Sequence, residues 1–262
     1  MQAQAIIKHI SQWMQNYAKT AKSTGFVVGV SGGIDSAVTS TLTAKTGLPV
    51  LCVEMPIHQA TDQVSRAQEH IAWLKKNYPN VSSVNVELTT IFENFIDAVP
   101  TVNGSENRLR SLVNTRARLR MTTLYYFAQL YNYLVAGTGN KVEDFGIGFY
   151  TKYGDGGVDL SPIADLMKTE VFVLGKTLGV CQSILDAPPT DGLWNDDRTD
   201  EDQIGATYPE LEWAMTFEGE EKNLSFRQKE VLTIYRSLNQ ANKHKMIPIP
   251  VCKIPKNLNS IN

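Results

Sequence analysis

Apolar residues recur every three or four positions at Ile6, Ile10, Trp13, Tyr17 and Ala21, the spacing of an amphipathic helix that ends before Gly25. The unbroken run FVVGV (26–30) then predicts a short buried strand. Ile34, Ala37, Val38 and Leu42 mark a helix that stops at Gly47, with Pro49 just beyond. The same alternation continues. Residues 49–55 read as a strand, and Val64, Ala67, Ile71 and Leu74 as a helix. Residues 83–88 read as a third strand, followed by a short helix beginning IFENFI and a long one over roughly 106–130. Residues 133–137 read as a fourth strand. This alternation predicts an α/β fold with a doubly wound, mostly parallel sheet, helices on both faces and right-handed crossovers; four strands are read here, and a five-stranded sheet is expected.

Beyond Gly137 the pattern changes. Residues 151–162 are rich in glycine and aspartate, and 186–202 in proline and aspartate, as in long loops that cover a site. Ser225 and Gln228 form a capping box that opens a helix carrying Val231, Tyr235 and Leu238 on one face. There is no internal repeat or linker, so one domain over 1–262 with a C-terminal helical extension is expected.

Composition narrows the classes. Apolar residues make up 42% of the 262 residues and charged residues 20%, ordinary values for a globular chain with a real core. A net charge of −2 gives no general attraction to nucleic acid or membrane, and neither is expected as a partner. Cys52, Cys181 and Cys252 are far apart, form no CxxC pair and do not cluster with the four histidines, so neither a disulfide frame nor a zinc site is expected. Residues 1–22 lack the apolar core of a signal peptide, and no apolar run approaches the ~20 residues of a membrane span. A cytoplasmic protein is the expectation.

The candidate chemistry starts at the first strand's end: Gly29, Val30, Ser31, Gly32, Gly33, Ile34, Asp35 and Ser36. At a strand-to-helix turn the two adjacent glycines let the backbone approach a ligand, and the N–H groups of the turn and helix start face an anion. The turn is neither G-x-x-x-x-G-K-[ST] nor G-x-G-x-x-G. An aspartate in place of lysine repels polyphosphate unless a cation lies between, which points to Asp35 as a magnesium ligand. Read alone, Asp35 also suits a helix-start acid stabilised by the dipole.

SGGIDS resembles the pyrophosphate loop of the ATP pyrophosphatases, which adenylate a carbonyl oxygen and release pyrophosphate. The segments at 114–121 (NTRARLRM), 135–144 (VAGTGNKVED), 151–171 (TKYGDGGVDLSPIADLMKTEV) and 187–205 (APPTDGLWNDDRTDEDQIG), with HK at 244–245, resemble the NAD synthetase family. The resemblance runs from about residue 5 to 250 and implies a Rossmann-like, adenine nucleotide alpha hydrolase-like fold. The implied activity is a ligase that forms a C–N bond. ATP adenylates the nicotinate carboxylate of deamido-NAD, pyrophosphate leaves, and ammonia displaces AMP to give NAD.

The resemblance also implies roles for individual residues. The loop residues 29–36, Thr138, Lys168 and Thr190 contact ATP, with Lys168 as the phosphate-binding cation that the loop lacks. Asp35 and Glu143 hold Mg2+. Arg118, Lys152, Asp159, His244 and Lys245 contact deamido-NAD. By residue type alone, Thr138 and Glu143 also fit a helix N-cap and an early-helix acid, and Lys152 and Asp159 a polar turn. Lys168, Arg116 and Arg120 fit solvated charges, although one of the two arginines could reach a pyrophosphate. KHK (243–245) fits a basic tail. No histidine or cysteine is placed for nucleophilic catalysis. A homodimer is implied, but Trp13, Tyr125 and Tyr131 are by default core residues. Only about 25 residues precede the first strand, so no glutaminase domain is expected and ammonia is the expected nitrogen donor.

Overall fold

The computed structural model describes residues 1–101, 106–189 and 199–258. Its first half alternates strand and helix: α1 (Ala3–Thr20), β1 (Gly25–Gly29), α2 (Ile34–Lys45), β2 (Val50–Glu54), α3 (Thr61–Asn77), β3 (Val81–Asn85), α4 (Thr89–Ala98), α5 (Glu106–Tyr131) and β4 (Tyr133–Val135). A seven-residue π-helical turn, Lys141–Ile147, follows. Then come α6 (Lys168–Leu178), α7 (Gln182–Leu185), α8 (Asp200–Ile204), α9 (Tyr208–Thr216) and α10 (Phe226–Met246).

The strands are parallel and ordered β3-β2-β1-β4. The chain moves outward from β1 to β3 and then returns to the other side of β1, so the order reverses between β1 and β4. At such a switch point the loops leaving neighbouring strands diverge and open a crevice at their carboxyl ends. The sheet has four strands among the described residues where five were expected. At the fifth position there is only an isolated parallel bridge, Ala136 to Leu160, supported by Gly137 N–H donating to the Leu160 carbonyl. The glycine-rich 151–159 segment turns back on itself before it can extend a ladder. β3 begins two residues earlier than the apolar spacing suggests, because its register is set by pairing of Val81 with Val50.

Both faces of the sheet are covered, which explains the unbroken apolar strands. Phe26 and Val28 of β1 and Val50 and Cys52 of β2 face one core, with α1, α2 and α6. Val27, Leu51 and Val53 face the other, with α4 and α5. A third cluster packs α9 and α10 on the π-helical turn. The Ser225–Gln228 capping box opens α10 as expected. Helix α2 is buried all round, and the hydroxyls of Ser40, Thr41 and Thr43 donate to carbonyls one turn back in the helix.

No described helix is long and apolar enough to cross a membrane. Trp13 and Tyr131 are exposed rather than core, and Tyr125 is half-buried. Of the contiguous aromatics in α5, Tyr126 also faces outward, while Phe127 packs against the core.

His70 on α3 is fully buried, stacked on Trp73 and hydrogen-bonded through Nε2 to Ser40 Oγ at 3.0 Å. Burial pushes its imidazole down to about 4 from 6.5. The folded protein therefore holds a neutral ring, while the unfolded chain takes up a proton below 6.5. His70 contributes stability that is fully present above pH 6.5 and is lost as pH falls towards 4, amounting to about 3 kcal/mol at most. Chemical denaturation between pH 7 and 4 is expected to show a smaller stability loss in His70→Gln than in the parent.

Candidate functional site

The crevice at the carboxyl ends of β1 and β4 is a cavity lined by the loop 29–36, Thr138, Glu143, Asp144 and Lys168, among others. On the β1 side, Gly32 takes φ +83°, and a Cβ there would meet the Gln63 carbonyl at 2.6 Å. Only glycine fits that close approach to α3. The loop's hydroxyls shape the loop itself. Ser36 Oγ donates to the Gly33 carbonyl at 2.9 Å and accepts from Ser31 N–H, while Gly33 N–H donates to Ser31 Oγ. The N–H groups at the start of α2, which lie beyond the reach of intrahelical acceptors, remain as donors toward the cavity.

On the β4 side, Asn140 caps the π-helical turn. Its Oδ1 accepts from the N–H groups of Val142 and Glu143, and its Nδ2 donates to Asp35 Oδ1 at 3.1 Å. Asn140, not Thr138, is the N-cap. The wide turn places Glu143 opposite Asp35. Between the two lies the ammonium of Lys168, the first residue of α6, 2.5 Å from Asp35 Oδ2 and 2.9 Å from Glu143 Oε1. Lys168 is buried rather than solvated. The hydroxyl of Tyr208, at the start of α9, donates to Glu143 Oε1 and lies 3.3 Å from Asp200 Oδ2. The Tyr208 ring centre is 4.9 Å from Lys168 Nζ, a cation–π contact.

The electrostatics follow from this packing. Burial alone would lower Lys168, but the two carboxylates win and keep it charged, above its usual range. Burial pushes Asp35 up against the pull of Lys168. Glu143, equally buried, has the Tyr208 hydroxyl as an additional donor and is held below the usual range. Asp144 is raised well above it by burial and by the carboxylates of Glu143, Asp155 and Asp35.

The cavity is thus strongly acidic around one ammonium. Two carboxylate oxygens already reach a single cationic nitrogen, and this donor set fits a hard divalent ion. Among the described residues no group of three or more His, Cys, Asp or Glu is arranged to hold a metal alone. Magnesium commonly takes one or two carboxylates and completes its shell with water and substrate phosphate.

The residues expected at the dinucleotide fall elsewhere. Arg118 on α5 donates to the Lys152 carbonyl, and Lys152 Nζ donates to the His244 carbonyl near the end of α10. Lys245 Nζ donates to the Gly148 and Tyr150 carbonyls at 2.8 Å each, clamping the chain after the π-helical turn rather than forming a basic tail. These four cluster at the outer edge of the 148–153 segment. Asp159 is turned inward: Oδ2 accepts from Val135 N–H and Oδ1 from the Tyr125 hydroxyl. Thr190 lies outside the described residues.

Arg120, expected to be solvated, is half-buried in the cavity wall and donates to the Met55 carbonyl and Gln59 Oε1. Arg116 lies over the Phe92 ring at 4.9 Å. Sequence reasoning missed Asn140, Asp144, Asp200 and Tyr208. Asn140 alone carried a signal, since an asparagine three residues before Glu143 is a cap in waiting.

A family model described as NAD synthase matches residues 6–248. The NH(3)-dependent NAD(+) synthetase of Syntrophomonas wolfei is 36% identical, over 98% of this chain and 99% of its own. The NMN synthetase of Francisella tularensis superposes with a TM-score of 0.86 at 32% identity, covering 97% of this chain and all of that one. The NH3-dependent NAD synthetase of Campylobacter jejuni superposes with a TM-score of 0.77 at 26% identity, over 97% of this chain and all of its own.

Lys168→Met leaves two buried carboxylates facing each other without their counterion. Urea denaturation is expected to show a loss of about 3–5 kcal/mol. Adding Asp35→Asn to Lys168→Met should restore part of it.

Proposed function

The chain belongs to the NAD synthase family, and on that premise we propose that it is an ammonia-dependent ligase that amidates the nicotinate carboxylate of deamido-NAD at the expense of ATP. The observation that carries this reading is the meeting of the glycine loop, Asp35, Glu143 and Lys168 at one crevice.

A free carboxylate resists attack by ammonia because oxide is a poor leaving group. In the proposed reaction its oxygen attacks the α-phosphorus of ATP, the bond to the bridging oxygen breaks, and pyrophosphate leaves. Ammonia then attacks the carbonyl carbon of the acyl adenylate, loses a proton, and AMP departs with the bonding electrons. The loop N–H groups grip the departing pyrophosphate, and the Lys168 ammonium neutralises phosphate charge. This is catalysis by positioning and fixed charge, without a covalent enzyme intermediate.

Asp35 and Glu143 would hold Mg2+, which when bound neutralises the charge building on the phosphate oxygens. Arg118, Lys152, His244 and Lys245, gathered along the 148–153 segment, would contact the dinucleotide. Asp159 acts from inside by fixing β4 to α5. A cytoplasmic location suits an enzyme of this kind.

A second reading of the acceptor is favoured by one observation. The Francisella tularensis neighbour, superposing over its whole length, is an NMN synthetase. Nicotinate mononucleotide carries the same carboxylate without the adenylate half, so the chemistry above is unchanged.

We also infer a homodimer. Trp13 and Tyr17 on α1 and Tyr126, Leu130 and Tyr131 on α5 are large apolar residues at 39–62% exposure. They are concentrated on two helices that cover a second copy's face better than they face water.

The purified protein is expected to form amide and pyrophosphate with ATP, Mg2+ and ammonium, and to use glutamine poorly. Side-by-side assays with deamido-NAD and nicotinate mononucleotide decide the acceptor. Asp35→Asn should lower pyrophosphate release about 100-fold or more. Light scattering should give twice the chain mass, and Tyr126→Asp with Leu130→Asp should shift it toward monomer.

A further inference from the structure

Tyr208 does not line the cavity, yet it is tied to it on several sides. It is 3% exposed, and its N–H donates to Glu201 Oε1 at 2.8 Å. Its ring face meets the Lys168 ammonium, and its hydroxyl is the donor to Glu143 Oε1, with Asp200 Oδ2 next in distance at 3.3 Å. A phenol has one hydrogen. Facing two carboxylates, it gives that hydrogen to the nearer, Glu143. Asp200 in turn donates its N–H to the Pro189 carbonyl, and Pro189 and Asp200 both line the cavity. The phenol therefore stands behind Glu143, between that carboxylate and Asp200 at the cavity wall.

A glutamate side chain has three rotatable bonds. Held by the Lys168 ammonium alone, its carboxylate would keep more rotational freedom, and a cation ligand must present its oxygen at a fixed point. We propose that Tyr208 is a positioning residue that fixes the Glu143 carboxylate for cation binding, and that it acts on the reaction only through Glu143. This rests on the reading of Glu143 as a magnesium ligand.

Tyr208→Phe removes one oxygen and keeps the ring, its packing and its contact with Lys168. Mn2+ binding in the presence of ATP, followed by electron paramagnetic resonance, is expected to weaken about tenfold in Tyr208→Phe. Its melting temperature should stay within a few degrees of the parent. KM for the nicotinate-bearing substrate should hold, and excess Mg2+ should restore kcat. Glu143→Gln should weaken Mn2+ binding at least as much, and Tyr208→Phe added to Glu143→Gln should cost nothing further.

Parent-like Mn2+ binding in Tyr208→Phe, with Glu143→Gln impaired, overturns the positioning role alone. An equal loss from Tyr208→Phe in both backgrounds overturns action through Glu143. Parent-like binding in Glu143→Gln overturns the metal reading, and the positioning role with it.

Discussion

One ammonium group joins three separate parts of this chain. Lys168 begins α6, Asp35 lies in the first turn of α2, and Glu143 lies in the π-helical turn after β4. They are brought together because β1 and β4 are neighbours in a sheet whose order reverses between them. Removing such charges from water costs several kcal/mol per ion, and their mutual attraction offsets this only when geometry and further hydrogen bonds are good. Asn140 and Tyr208 supply those bonds, one to each carboxylate. The site is therefore a single electrostatic unit in which no member keeps its place without the others.

Much of the fold was legible because its physics is local. Strands with both faces buried read as unbroken apolar runs, and β1, β2 and β4 lie within two residues of their expected bounds. The glycine loop was legible for a similar reason: a double glycine followed by an acid marks a tight strand-to-helix turn in local sequence. What failed depends on distant partners. Lys168 looks like any helix-start lysine until Asp35 is placed beside it, so only resemblance distinguished it. Tyr208 carries no pattern at all, since its role exists only when α9 packs on the turn that holds Glu143. Asp159 has partners that its local sequence does not announce. A polar residue in a D-G-rich stretch suggests a surface ligand, yet its carboxylate takes a strand-end N–H and a tyrosine hydroxyl. That only a single bridge stands at the fifth position among the described residues is also non-local, because the return of residues 151–159 on themselves is accompanied by contacts with α5, including the Thr151 hydroxyl on Asn114.

The candidate ligands divide by how they are held. Asp35, Glu143 and Lys168 sit at the starts of helical elements braced by the sheet, where a rigid scaffold fixes small groups well. Those at the outer edge, from Arg118 to Lys245, are held largely by side-chain donors gripping backbone carbonyls. A transferred phosphorus demands tight geometry, whereas a long substrate tail tolerates slack. The division suits a reaction whose common half is adenylation and whose variable half is the acceptor.

The wide turn at Lys141–Ile147 makes the site sensitive to any change of chain length there. A π-turn accommodates one more residue than an α-helical path between the same endpoints. Deleting a residue there would tighten the turn and swing every later side chain by about 100°, carrying Glu143 or its successor away from its counterion. Surface connections elsewhere absorb gains and losses at little entropic cost, so a one-residue deletion in this stretch would disturb the site more than one in those loops.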